Sequence, residues 1–150
     1  MMKKMFFLIL LFFFGLNLPV AAQEIGQIKK VKGTVAVERA GKRLPAAAGM
    51  KVQAADTIRT GTNGAVGITL TDNTMLSAGP GSVLALSGYA FDPTTHQGKM
   101  DADMRRGTLA MVSGKLAKQS PTAVRVKTPA TIIGVRGTEF FVKVEGKDDE

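Results

Sequence analysis

The spacing of the glycines constrains what this chain can fold into more than any other feature. Sixteen of the 17 glycines follow residue 22, so one stands at about every eighth position from there on. Glycine weakens the interior of helices and strands and favours turns, which leaves room only for short regular segments. Short apolar segments between closely spaced turns are typical of an all-β domain. We therefore predict a compact domain of short antiparallel strands and hairpins, built as a sandwich or a solenoid.

Residues 124–144 show the strand pattern best. Val124 and Val126 alternate with basic residues, as on a strand with one buried face. The dipeptide Thr128-Pro129 should end this strand, because proline donates no backbone hydrogen bond and holds the preceding residue extended. A second strand is predicted from Phe140, where apolar residues recur at every other position.

Gly134 and Gly137 lie between these two strands and predict a tight bend where backbone approaches backbone closely. Arg136 stands between them and admits two interpretations. In the first, its guanidinium binds carbonyls at the bend or the carboxylate of Glu139, a task that suits five fixed donors. In the second, it is a recognition arginine. We expect the structural role, in which case Arg136→Ala lowers thermal stability.

Turn residues predict the remaining connections. Asn63-Gly64 is the strongest short signal for a β-hairpin. The other predicted connections are turns at Ala40-Gly41 and Asp72-Asn73, a loop at 44–50, a polar loop at 92–98 between two strand arms, and either a helical turn or a loop at 113–120.

The bend and its flanking strands also carry a motif, V-x-T-P followed by a few small residues and G-V-R-G-T-x-F. Its fixed positions are Val126, Thr128, Pro129, Gly134, Val135, Arg136, Gly137, Thr138 and Phe140. This motif resembles the closing segment of the FecR-like domain family. The resemblance extends upstream to residues 56–61 (D-T-I-R-T-G) and to Asp72-Asn73-Thr74, where the family usually has Asp-Gly-Thr, and covers about residues 26–146.

The resemblance implies a FecR-type fold and a role in signalling. FecR-like regulators place such a domain outside the inner membrane, where it senses a transporter and passes the signal to a cytoplasmic sigma-factor regulator. That architecture needs a cytoplasmic segment and a membrane span. Only four residues precede the apolar run of this chain, so we expect it not to relay a signal inward by itself.

Residues 1–22 are predicted to be a hydrophobic signal helix that is removed on export. Lys3 and Lys4 give a positive start, an apolar run follows, and small residues at 20–22 predict cleavage after Ala22. The alternative is an uncleaved anchor, but the run is shorter than the roughly 20 apolar residues that a span needs. We therefore expect a periplasmic or secreted protein, with the domain at residues 23–146 and an acidic tail at 147–150.

Composition narrows the chemistry further. The chain has no cysteine, so disulfides, thiolate metal sites and a cysteine nucleophile are excluded. The formal net charge of +8 becomes +6 without Lys3 and Lys4. A basic surface serves solubility, or it attracts anionic envelope polymers or lipid headgroups. Nucleic acid is a poor partner for an exported chain with so few aromatic residues for base stacking.

The titratable residues form no recognisable catalytic set. His96 is the only histidine, which excludes a metal cage of several histidines. Its polar loop predicts a solvated side chain and not the base of a Ser-His pair. Asp101 and Asp103 should share one face of a strand. Paired acids can serve a glycosidase, but no aromatic residues flank them to hold a sugar. We predict a protein that is not an enzyme and has no cofactor or metal.

The resemblance implies that the strand after G-V-R-G-T-x-F meets a further strand, and this chain ends before it supplies one. We therefore expect the segment 138–145 to be an unprotected edge strand. We hypothesise that this edge recruits an envelope protein or a second copy of the chain by strand addition. The alternative is that Lys143, Glu145 and the acidic tail already protect it.

Together these features predict an exported FecR-domain protein, a protein-binding or signalling and sensing module of the cell envelope. The alternative is a structural envelope protein that binds anionic cell-wall or membrane polymers through its basic surface.

Overall fold

A computed structural model describes residues 23–137 and 139–146, and these form twelve strands and one short helix. The predicted signal peptide, the motif residue Thr138 and the predicted tail at 147–150 lie outside the described residues. The elements are β1 Glu24–Lys32, β2 Val35–Arg39, β3 Lys42–Pro45, β4 Lys51–Gln53, β5 Thr57–Thr60, β6 Ala65–Leu70, β7 Met75–Ala78, β8 Val83–Phe91, β9 Gly98–Val112, α1 Lys115–Gln119, β10 Val124–Lys127, β11 Ile132–Gly134 and β12 Glu139–Val144.

The strands form two sheets that share one long strand. Sheet A has the order β4-β1-β6-β7-β9-β12, and sheet B has the order β3-β2-β5-β8-β9-β10-β11. Every pairing among the described residues is antiparallel except that of β10 with β9, which is parallel. The prediction of an all-β domain is confirmed. Strand β9, at 15 residues, is longer than the predicted short strands.

Strand β9 passes from one sheet to the other at Gly107. Its first part pairs with β8 and β10, and its last part pairs with β7 and β12. Gly107 has a φ of +92°, and a Cβ at this position would lie 2.2 Å from Ser82 Oγ. Only glycine combines this backbone conformation with so close a neighbour, so this residue permits the turn of the strand.

The inner faces of both sheets form one aliphatic core. Alternation along each strand supplies it: β6 turns Val66, Ile68 and Leu70 inward and leaves the residues between them half-buried. The largest fully buried side chains are Ile25, Ile28, Ile58, Ile68, Leu70, Leu76, Leu84, Leu86, Met100, Met104, Leu109 and Met111. The core is thus built from aliphatic side chains and methionines, with Tyr89 as its buried aromatic residue.

Most predicted turns occur where the local sequence placed them. Ala40 and Gly41, with φ of +50° and +76°, connect β2 to β3, and Asn73, with φ of +67°, connects β6 to β7. The loop at 92–98 separates β8 from β9, as predicted. Segment 113–120 contains α1. The loop predicted at 44–50 is present only at 46–50, because Leu44 and Pro45 belong to β3.

The prediction of a hairpin at Asn63-Gly64 is wrong. Strand β5 before it pairs with β2 and β8, whereas β6 after it pairs with β1 and β7. The turn therefore carries the chain from sheet B to sheet A. Its glycine is required by packing, because a Cβ on Gly64 would lie 2.3 Å from the carbonyl oxygen of Thr34.

Within the described part of the chain, no helix combines the length and the apolar character needed to cross a membrane.

Candidate functional site

A shallow groove crosses the outer face of sheet A. Cross-strand register aligns one residue from each of five neighbouring strands, which gives the row Lys30, Gly67, Ser77, Ala110 and Phe141. At a strand spacing of about 4.8 Å the row is about 19 Å long. We call this row and its flanking residues Lys32, Ala65 and Thr108 the outer groove.

The outer groove exists because its middle residues are small. Gly67, Ser77 and Ala110 cover little of the sheet, so its backbone lies open between larger side chains at the two ends. Lys30 and Lys32 stand at the β1 end, and Phe141 stands at the β12 end. The volume of the groove is about 380 Å³, which is enough for a few side chains of a bound polypeptide.

Large apolar side chains are exposed beside the outer groove. Phe141 is 67% exposed, Met75 is 49% exposed and Val112 is 37% exposed. Met75 on β7 lies opposite Val112 on β9. Glu139 on β12 lies opposite Val112 on the other side. Exposed apolar residues are normal singly but indicate an interaction surface when they cluster on one face.

Strand β12 forms an edge of sheet A. Among the described residues it pairs with β9 alone, from Glu139 opposite Val112 to Val144 opposite Gly107. Its inward residues Phe140, Val142 and Val144 are only partly buried, although they pack against the core. The predicted edge strand is therefore present, and whether a partner pairs with it stays a prediction.

A buried carboxylate supports the turn between β6 and β7 of sheet A. Asp72 is fully buried, and its two oxygens accept hydrogen bonds from Thr74 N at 3.1 Å, Thr74 Oγ1 at 2.7 Å, Tyr89 Oη at 3.1 Å and Leu116 N at 3.2 Å. Its backbone carbonyl accepts a further bond from Lys115 N at 2.8 Å. One residue thus ties the β6–β7 turn to β8 and to the start of α1.

A second buried carboxylate joins β2 and β4 to the residue that leads into β5. Asp56, 1% exposed, accepts two hydrogen bonds from Arg39, at 2.9 Å from Nε and 2.7 Å from Nη2, and one from Gln53 N at 2.8 Å. Such a paired geometry is the strong form of an arginine–carboxylate contact, and it raises the pKa of Arg39. The residues before Asp56 are thereby held within the same fold.

The motif residues lie along β10, β11 and the start of β12. Val126 and Val135 are buried, Pro129 is exposed, and Phe140 is half-buried against the core. Thr128 is buried and closes the β10–β11 hairpin through hydrogen bonds between its backbone and side chain and Thr131. These placements are compatible with a structural role, and the functional roles of the motif residues stay predictions.

The prediction of a close backbone approach at Gly134 and Gly137 is wrong. A Cβ added to either residue would meet no heavy atom of the described residues within 4 Å. Gly137 is needed for its backbone instead, with a φ of +98°. Arg136 is exposed and, among the described residues, makes no hydrogen bond or ion pair, with Glu139 or otherwise. The expected guanidinium contacts at the bend are therefore not formed within the described part of the chain.

The other titratable candidates lie away from the outer groove. His96 is half-buried and stacks on Phe91 with a centroid distance of 5.9 Å, whereas the sequence predicted a solvated side chain. Asp101 and Asp103 share one face of β9, as predicted, and Asp101 pairs with Arg125 at 2.9 Å. Among residues 23–137 and 139–146, no cluster of three or more metal-binding side chains occurs.

Sequence reasoning found the β12 edge but missed the outer groove. The groove depends on the register of five strands that are far apart in the chain, and register is not visible in a single segment. One signal was available: outward positions of β6, β7 and β9 carry Gly67, Ser77 and Ala110, where long polar side chains usually cover a sheet.

Comparison with known families decides the classification. The family described as FecR protein matches residues 56–150, which is more than half of the chain. The chain belongs to the FecR protein family. No curated protein and no solved structure matches it.

FecR proteins are regulatory, signalling proteins associated with the cell envelope. The family match begins at Asp56, whereas the described fold begins with β1 at Glu24, which pairs with β6. The match also extends to Glu150, beyond the predicted domain end at Gly146. The domain boundaries at residues 22 and 146 stay predictions.

Proposed function

We propose that this FecR protein is an exported, non-enzymatic sensing module of the periplasm that binds another envelope protein through the outer groove. The single observation that carries the proposal is the outer groove, which ends in the exposed Phe141 and lies beside the exposed Met75 and Val112 on the same face. Membership of the FecR family supports a signalling role for this surface.

The shape of the groove favours an extended polypeptide segment as the ligand. Its floor of small residues allows a chain to lie close to the sheet, and its length of about 19 Å matches about five or six extended residues. Phe141 offers an apolar contact at one end, and the two lysines offer charge-assisted hydrogen bonds at the other. The preferred segment would therefore carry an apolar side chain and, about 19 Å away, a carboxylate.

Affinity capture from an envelope extract tests this proposal. The full-length chain is expressed with a C-terminal affinity tag, and proteins that co-purify are identified by mass spectrometry at low and high salt. Ser77→Lys places a long side chain on the floor of the groove at an exposed position. We expect this variant to lose at least tenfold of the captured partner, because the segment can no longer reach the sheet.

The matched control is Ser87→Lys, which makes the same change at an exposed serine of β8 in sheet B. Its capture should equal that of the unchanged protein. Equal loss in both variants, or no loss in Ser77→Lys, would contradict the use of the groove as the binding surface.

The distribution of charge favours a second candidate function. The arginines Arg39, Arg43, Arg59 and Arg125 are paired with carboxylates. By contrast, Lys30, Lys32 and Lys51 form no ion pair among the described residues and lie at the β1 side of sheet A. A structural protein resting on anionic envelope polymer would use these lysines. Pelleting with isolated cell wall that is lost at high salt, without a discrete captured protein, would support this alternative.

A further inference from the structure

We propose that the open edge of β12 pairs with β12 of a second copy, so that two sheets A join across a two-fold axis. Both the edge and its outer face are available, because β12 pairs only with β9 among the described residues and Phe141 is 67% exposed. This inference goes beyond the proposed function. The two surfaces share Phe141, but the other residues of the outer groove lie on strands that the dimer does not pair.

The sequence of β12 is self-complementary in one register. An antiparallel copy with Phe141 opposite itself places Glu139 opposite Lys143 of the second copy, and the two-fold axis repeats this pair. On the inner face the same register places Phe140 opposite Val142 of the second copy. Opposite charges and apolar pairs at directly opposed positions are the contacts that stabilise an antiparallel strand pair.

Neighbouring registers are less favourable. A shift that brings Val142 opposite itself places Phe141 opposite Lys143 and Glu139 opposite Glu145, which pairs like charges. A shift that brings Phe140 opposite itself places Glu139 opposite Phe141 and leaves the charge unpaired. A shift by one residue would put the half-buried side chains opposite the exposed ones and is excluded by the pleat.

Joining the two edges would also bury the inward residues of β12 more fully. Phe140, Val142 and Val144 are inward residues of β12 that remain only partly buried in one copy. The same residues of the second copy would cover them from the side. On the outer face the two Phe141 rings would meet at the axis. Lys143, now 3.7 Å from Glu145 in its own strand, would gain a second carboxylate.

Charge reversal tests the register directly. Protein purified after export of the full chain is studied by sedimentation velocity over a range of concentrations. Glu139→Lys alone and Lys143→Glu alone each create two like-charge pairs, so each variant should weaken the dimer by at least about tenfold. An equimolar mixture of the two variants restores both opposite-charge pairs and should recover the dimer.

Each outcome is decisive. Any one of three results would overturn the proposal: the unchanged protein is a monomer, the dimer survives both single variants, or the mixture of the two variants stays monomeric. Circular dichroism of each variant checks that the fold persists, since both positions are exposed. Ser77→Lys should still dimerise. If Ser77→Lys loses partner capture while the unchanged protein is a monomer, the dimer is rejected and the proposed binding surface is retained.

Discussion

At the scale of single residues, buried polar side chains fix the connections between strands. Asp72 combines complete burial with hydrogen bonds to the β6–β7 turn, Tyr89 and the start of α1. A buried carboxylate is tolerated only when its hydrogen-bonding capacity is filled, and here both oxygens are filled. The residue therefore holds three separate segments in one arrangement.

Replacing this carboxylate should be costly. Asp72→Ala leaves the buried donors of Thr74, Tyr89 and Leu116 without acceptors, and we expect the free energy of unfolding to fall by roughly 3 kcal/mol. Chemical denaturation measures the loss. Asp92→Ala is the control, because Asp92 also accepts two backbone hydrogen bonds but is exposed. A similar effect in both variants would contradict the importance assigned to the buried site.

Tyr89 gives a specific expectation for alkaline pH. Burial, assisted by the nearby Asp72 and opposed by the hydrogen bond with Thr71, raises its pKa to about 12, from about 10 in the unfolded chain. The folded state then binds more protons between these values, so the contribution of Tyr89 to stability is constant below a pH of about 10 and is lost as the pH rises towards about 12.

The absorbance of tyrosinate measures this pKa directly, because the chain has one tyrosine and no tryptophan. We expect a midpoint near 12 in the folded protein. In Tyr89→Phe, the fall in stability that the ionisation of Tyr89 causes at alkaline pH should be absent. A midpoint near the ordinary value of about 10 would contradict the buried placement.

At the scale of the elements, β9 holds the two sheets together, and Gly107 permits it to do so. Gly107→Ala would combine a left-handed backbone with a Cβ 2.2 Å from Ser82 Oγ and 2.5 Å from Ser82 Cα. We expect a loss of roughly 3 kcal/mol or more in the free energy of unfolding. Thermal denaturation provides the measurement.

Gly81→Ala separates backbone strain from steric overlap. Gly81 has a φ of +64°, but a Cβ there would meet no atom within 4 Å in the part of the chain that the structure describes, so only strain of about 1 kcal/mol is expected. Equal losses at the two positions would show that close packing against Ser82 does not govern the bend of β9.

The elements also show what could be predicted from sequence. The alternation around Val124 and Val126, the end of β10 before Pro129 and the resumption at β12 follow from local preferences, and all are present. The turn at Asn63-Gly64 has hairpin residues but joins strands of different sheets. Its flanking strands prefer other partners, and that choice is made by long-range packing.

At the scale of the whole molecule, the all-β class could be predicted from sequence because it depends on the spacing of turns and short apolar segments. The outer groove could not be predicted, because Gly67, Ser77 and Ala110 become neighbours only when three strands adopt one register. The helix α1 was ambiguous for a related reason. Its first turn is held by Asp72, more than 40 residues earlier.

The net charge also acts at this scale. A formal charge of +8 for the chain attracts anionic surfaces at long range, but such attraction is screened by salt over about 8 to 10 Å. Binding in the outer groove rests on contact with apolar side chains as well as on Lys30 and Lys32. Capture of a protein partner should therefore survive higher salt than adhesion to a polymer does.

Photo-crosslinking in intact cells tests most directly whether the outer face of sheet A is a protein-binding surface. A photoreactive phenylalanine analogue replaces Phe141 or, as the control, Ile132, a residue of β11 in sheet B that is 62% exposed. The Glu139→Lys background suppresses adducts between copies of this chain. The account predicts a discrete adduct with a different envelope protein from position 141 and none from position 132. Equal adducts from both positions, or none from position 141, would contradict it.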